Sequence, residues 1–232
     1  MLKGITFLND FFHLFYPRIC SACNASLLKH EDVICTNCLY SMPRAHLSLG
    51  KENIVDQLFW GRFPVESAGA YYYFRKGGHV QKLLHQFKYK NSPEIGVKIG
   101  QLYGEEILQS GCPIPDIIVP IPLHPKKLII RGYNQSERFG AGLSEALNIP
   151  MDTKNFIRNT FTETQTKKNR YERWNNVKDI FLCVDPDVFI NKHILIVDDV
   201  ITTGSTIESS AQKLLTYQNT KISIASMAVA SK

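Results

Sequence analysis

Four short, mostly apolar runs punctuate the chain: "SAGAYYYF" (67–74), "DIIVPI" (116–121), "HILIVDD" (193–199) and "KISIASMAVA" (221–230). Between them the apolar spacing changes to that of one helix face. Val80, Leu83, Leu84 and Phe87 fall at i, i+3, i+4 and i+7, and a second such pattern runs through Ile99, Leu102 and Tyr103. Phe139, Leu143, Ala146 and Leu147 mark a third helix, and Ile207, Ala211, Leu214 and Leu215 a fourth. Apolar strands that alternate with amphipathic helices predict an α/β fold, a parallel sheet with helices on both faces. Two polar loops, "PLHPKKLIIRGYNQ" and "VITTGST", follow strands directly, and ligands of such sheets collect at the carboxyl ends of strands. Near the start, Leu8, Phe11, Phe12 and Phe15 predict one more amphipathic helix. Asn9 and Asp10 interrupt its apolar run and no small-residue cleavage site follows, so a signal peptide is not expected.

Length and composition narrow this picture. The 232 residues suit one well-cored domain with a small appendage. Hydrophobic residues at 44% and charged residues at 21% are ordinary for a globular protein, and no apolar run approaches the roughly 18 residues of a membrane span. The net charge of +6 is concentrated: residues 154–179 hold seven Lys or Arg against three acids. That segment either meets an anion or is a solvated, mobile connection.

Four of the six cysteines form two Cys-x-x-Cys pairs, Cys20 with Cys23 and Cys35 with Cys38. Two such knuckles offer four thiolates in a tetrahedron, the geometry a structural Zn²⁺ accepts. Two disulfides or a redox couple are the alternatives, and a reducing cytoplasm, the compartment expected without a signal peptide, disfavours them. A module of about 40 residues buries too little surface to fold alone, so metal binding would supply much of its folding free energy. A closed four-cysteine site keeps no open position for catalysis. Cys112 and Cys183 are isolated and read as small apolar residues.

The remaining chemistry lies in "ILIVDDVITTGST". Thr202, Thr203, Gly204, Ser205 and Thr206 directly precede a helix, so backbone N–H groups and hydroxyls can surround a phosphate at the positive end of its dipole. Asp198 and Asp199 are acceptor-only groups suited to the two O–H donors of a vicinal diol. A diol beside a phosphate describes a ribose 5-phosphate. A Walker B strand looks similar, but no G-x-x-x-x-G-K-[ST] loop exists in the chain. A receiver domain would need far more than the 33 residues that follow Asp199. An ordinary capped helix explains one Ser or Thr and leaves two acids and several hydroxyls unexplained.

These residues resemble the phosphoribosyl pyrophosphate (PRPP) signature of type I phosphoribosyltransferases. With the cysteine knuckles, "HQFKYK", "VPIPLHPKKLIIRGYNQS" and "TQTKKNRYERWNNVKDIF", the chain resembles the ComF family of competence-associated, phosphoribosyltransferase-like proteins. The resemblance implies a zinc module over residues 1–48 and a phosphoribosyltransferase-like domain over 49–232. It implies that Asp198 and Asp199 hold the ribose hydroxyls at the reacting centre, that Thr202 to Thr206 hold the 5-phosphate, and that Lys126, Lys127 and Arg131 face the pyrophosphate. Mg²⁺ would come with PRPP, held mainly by pyrophosphate oxygens and waters. Lys88 and Tyr89, at a helix end, rank lower as site residues. In the transferase reading, a nucleophile attacks ribose C1 and expels pyrophosphate, while the basic segment with Thr166, Arg170, Arg173 and Asn176 covers the site. An active transferase, a PRPP-sensing regulator without turnover, and an adaptor of the DNA-uptake machinery all stay open. Candidate partners are PRPP or ribose 5-phosphate, a helicase-like ATPase and single-stranded DNA, in DNA uptake or nucleotide salvage.

Overall fold

The computed structural model describes residues 17–45, 49, 53–158 and 180–230. The expected N-terminal helix lies outside them, as do Thr166, Arg170, Arg173 and Asn176. Each of the four apolar runs forms a strand: β1 (Ser67–Phe74), β2 (Ile117–Pro120), β5 (His193–Ile201) and β6 (Lys221–Ala230). They make one parallel sheet in the order β1-β6-β5-β2. Along β5, Ile194 and Ile196 enter one apolar cluster while Leu195 and Val197 enter another, so the run is continuous because both faces are covered.

Helices α3 (His79–Tyr89), α4 (Glu94–Ser110) and α6 (Gln135–Leu147) bury Phe87, Tyr103 and Phe139 in the cluster with Leu195. On the opposite face, α7 (Ser205–Leu214) and the short α2 (Ile54–Gln57) bury Ile207, Leu214 and Val55 against Ile194. The parallel sheet with helices on both faces is therefore as the pattern predicts. Helices α4 and α6 meet where both lack side chains: a Cβ on Gly142 would drive into the Val97 carbonyl, and one on Gly100 into that of Phe139. This close approach sets the position of the α6 N-terminus beside β5.

Both sheet edges are covered, as unpaired strand edges invite association. Ala45 N donates to Tyr71 O and Tyr73 N to Pro43 O along β1, and Ile118 N donates to Pro150 O along β2, each at 2.9 Å. The chain after the cysteine module is thus hydrogen-bonded to the sheet, and Cys20, Cys35 and Cys38, the last on the short α1 (Thr36–Ser41), belong to the same cluster as α3, α4 and α6.

Three features differ from the pattern reading. The loop after β2 contains a helix, α5 (Pro125–Arg131), with Pro at its start and the His124 ring accepting from Lys126 N at 3.2 Å. Its Ile129 and Ile130 are exposed, so no burial period announces it. A two-stranded antiparallel sheet pairs β3 (Phe156–Arg158), which lies within the basic segment, with β4 (Phe181–Cys183), which follows it; strands of three residues are too short to show alternation. Strand β5 also runs past the two acids to Ile201 rather than ending at them.

Candidate functional site

Strand β5 delivers Asp198 and Asp199 to the carboxyl end of the sheet, where they line a cleft of about 210 Å³ with Lys88, Lys127, Arg131 and Arg158. Thr206, in the first turn of α7, lines the same cleft. The cations come from three elements: Lys88 from the last turn of α3, Lys127 and Arg131 from α5, and Arg158 from β3. Lys88 Nζ lies 2.9 Å from Asp199 Oδ2, and both side chains are largely buried. Asp198 Oδ1 accepts from the Ser136 hydroxyl at 3.1 Å and from Asp199 N at 2.9 Å. Burial, with the neighbouring Asp199 charge second, pushes the Asp198 carboxyl up to about 7, against the pull of those two hydrogen bonds and Lys88.

The wall opposite β5 is held by the start of α6. Asn134 caps that helix by accepting from Ser136 N and donates to the Ile121 carbonyl at 3.0 Å, tying the cap to the end of β2. Arg131 donates to Gln135 Oε1 at 2.7 Å. The Tyr133 hydroxyl donates to the Phe87 carbonyl, which ties the same turn to the end of α3.

Beyond the acids, Thr202, Thr203, Ser205 and Thr206 form an exposed turn around the buried Gly204. Gly204 has φ 75°, and a Cβ there would sit 2.7 Å from the Phe59 ring, so glycine is required on both counts. The Thr203 and Ser205 hydroxyls are 3.0 Å apart, and Arg62 donates to the Thr203 carbonyl at 2.8 Å. This places a turn rich in hydroxyls at the N-terminus of a ten-residue helix. Lys126 is exposed on α5 and does not line the cleft; Arg170 and Arg173 lie outside the described residues.

Cys20, Cys23, Cys35 and Cys38 bring their sulfurs within 4.8 Å of one another. A tetrahedron with zinc–sulfur bonds of about 2.3 Å has edges of about 3.8 Å, and Cys23 Sγ is 3.7 Å from Cys35 Sγ. The disulfide distance is about 2.05 Å, so this is the spacing of metal ligands. Burial works to raise the Cys20 thiol, but the N–H groups of Cys35, Cys23 and Ala22 outweigh it and lower it to about 7. Burial pushes Cys38 up. The four cysteines are compatible with a structural zinc ion.

No family model matches the chain. Among curated proteins, DNA utilization protein YhgH of Escherichia coli (strain K12) is 30% identical over 201 residues, 85% of this chain and 84% of that protein. Competence protein F of Haemophilus influenzae (strain ATCC 51907 / DSM 11121 / KW20 / Rd) is 31% identical over 137 residues, 57% of this chain and 60% of that one. The chain belongs to the ComF/YhgH family. A solved structure of glutamine PRPP amidotransferase from B. subtilis is similar at a TM-score of 0.45 and 19% identity, covering 62% of this chain and 30% of that chain, a likeness too loose to assign a ligand.

For this ComF/YhgH chain, pattern reading missed Arg158, Ser136 and Arg62 and ranked Lys88 low. The Asn134 cap was legible in "RGYNQS", since Asn before a helical run signals an N-cap. Nothing along the chain signals that Ser136 reaches Asp198, or that Arg62 reaches a turn 141 residues later.

Proposed function

We propose that the chain binds PRPP, or a related ribose 5-phosphate, at the cleft around Asp198 and Asp199, and that it does so as a phosphoribosyltransferase-type protein. The single observation that carries this reading is the convergence on one cleft of two adjacent acids, a cluster of cations and Thr206, the last residue of the hydroxyl-rich turn, whose Thr202, Thr203, Gly204 and Ser205 lie outside the cleft lining. The ribose diol donates to Asp198 and Asp199, the 5-phosphate accepts from the Thr202–Thr206 turn, and the pyrophosphate faces Lys127, Arg131 and Arg158. Lys126, Arg170 and Arg173 are assigned to the same anion on the sequence alone.

Loss of pyrophosphate from ribose C1 leaves positive charge on the ring and negative charge on the leaving group. Two acids near the ring and fixed cations near the leaving group lower that barrier by preorganised electrostatics. Mg²⁺ prefers several waters and substrate phosphates with one or two carboxylates. With Asp199 paired to Lys88 and Asp198 bonded to Ser136, the acids fit an ion that arrives with the pyrophosphate. Bound there, Mg²⁺ supplies neutralisation of the leaving group. The cysteine cluster holds one structural Zn²⁺, and its reduced thiols suit a cytoplasmic protein.

The names of the relatives, DNA utilization and competence, support a role in the use of DNA; a helicase-like ATPase, single-stranded DNA and nucleotide salvage are proposed from the sequence resemblance alone. Calorimetry with PRPP and Mg²⁺ tests the binding reading: micromolar or tighter affinity is expected, and no heat at millimolar PRPP refutes it. Release of pyrophosphate across a panel of bases and amines then separates a transferase from a sensor, which binds PRPP without turnover.

A further inference from the structure

Lys88 stands in the last turn of α3, where a cation is favoured by the helix dipole. Its ammonium is committed to Asp199 at 2.9 Å, in a cleft whose other cations come from α5 and β3. The side chains of the pair are 21% and 14% exposed, so neither partner is easily traded for water. The backbone that carries Lys88 is fixed: Phe87 is fully buried, and its carbonyl accepts from Tyr133, one residue before the Asn134 cap. The proposed reading assigns to Asp199 a second task, accepting a ribose hydroxyl. At Oδ2 the hydroxyl meets a donor that is charged and already in place.

We propose that Lys88 is a specificity-determining residue: it holds Asp199 until a pyrophosphate-bearing ligand draws its ammonium away, so that the cleft prefers PRPP to ribose 5-phosphate. The inference rests on the reading of the cleft as a PRPP site. A ribose 5-phosphate places its only anion at the α7 turn, so a hydroxyl of its neutral diol that reaches for Asp199 Oδ2 competes with a charge-assisted bond without giving Lys88 a new partner. PRPP carries further anionic oxygens on the side of the ring where Lys127, Arg131 and Arg158 converge. The flexible four-carbon stem of lysine lets the ammonium exchange a carboxylate for a phosphate without moving α3. A ligand shifts such an equilibrium only through differential interaction with the two arrangements, and the pyrophosphate supplies that difference.

The test is titration calorimetry of PRPP and of ribose 5-phosphate, each with Mg²⁺, on the wild-type chain and on Lys88→Met and Lys88→Arg, with thermal unfolding to establish that each is folded. Lys88→Met is expected to weaken PRPP at least tenfold and to leave ribose 5-phosphate unchanged or tighter, so that the preference falls at least tenfold; Lys88→Arg retains it. Lys88→Gln replaces the Met variant if that chain does not fold. Equal weakening of both ligands, or unchanged PRPP affinity, overturns the assignment of Lys88 while leaving the PRPP site standing. A wild-type chain that binds no PRPP overturns both.

Discussion

At the scale of single residues, the two acids differ although they are neighbours in sequence. Asp199 is paired with a cation, whereas Asp198, half-buried beside that carboxylate, is pushed up to about 7 chiefly by desolvation. Replacing both by Asn keeps their shape and removes the charged acceptors. Each loss is expected to cost about 1.5–3 kcal/mol of PRPP binding, the range for hydrogen bonds to charged groups. An unchanged dissociation constant in Asp198→Asn with Asp199→Asn makes the acids structural. The raised carboxyl also fixes a pH dependence. A diol is accepted by the ionised form, so PRPP affinity is expected to rise from pH 6 to pH 8 with its midpoint at about 7. For folding the sign is opposite to that of a salt-bridged acid. The native state keeps the Asp198 proton over the window from about 4 to about 7, where the unfolded chain has released it. Its contribution to stability therefore falls as pH rises through that window. Chemical denaturation of wild type and Asp198→Asn across pH 4–9 checks this: the difference between the two should change between about 4 and about 7 and flatten above that window.

At the scale of elements, the site is the junction of β5 with α7 faced by the start of α6. Most of β5 and α7 was legible, because a buried parallel strand must be apolar on both sides and α7 shows its stripe in Ile207, Ala211 and Leu214. The turn between them depends on Gly204. Gly204→Ala puts a side chain in the left-handed region, about 1–2 kcal/mol unfavourable, and adds a collision with Phe59. Lower thermal stability and weaker binding of inorganic phosphate are expected together; loss of stability alone disconnects the turn from the anion. Gly142→Ala acts from a distance by wedging α4 from α6. Overpacking of this kind costs about 1–3 kcal/mol, which for a chain of this size lowers the melting temperature by roughly 2–4 °C per kcal/mol. Helix α5 was not legible, since an exposed helix of seven residues has no buried face to leave a period.

At the scale of the molecule, the sheet separates two apolar clusters, and the cysteine module shares one of them with α3, α4 and α6. Among the described residues, no helix is long and apolar enough to cross a membrane. Cys38 Sγ lies 3.9 Å from His79 Nδ1 at the start of α3, and residues 43–45 bond to β1, so loss of metal should be felt beyond the knuckles. The purified chain is expected to carry one zinc ion, and Cys35→Ser to carry less and to melt at a lower temperature. Structural zinc contributes folding free energy directly. Equal metal content in the two proteins, by elemental analysis, removes the zinc assignment.

The sequence by itself determined the four strands of the parallel sheet, the amphipathic helices α3, α4, α6 and α7, the cysteine knuckles and the adjacency of two acids to a hydroxyl-rich turn. Each of these is written in spacing along the chain: a period of burial, a ligand interval, or groups a few residues apart. Tertiary structure alone decided which groups share the cleft with the acids. Lys88, Ser136 and Arg158 come from three separate elements, and Lys88 meets Asp199 where the buried face of its helix and the Tyr133 hydroxyl on the Phe87 carbonyl hold the end of α3. The unequal character of Asp198 and Asp199 has the same origin. Burial and the placement of a charge at 2.9 Å are properties of packing, and two identical residues side by side in sequence carry no sign of either.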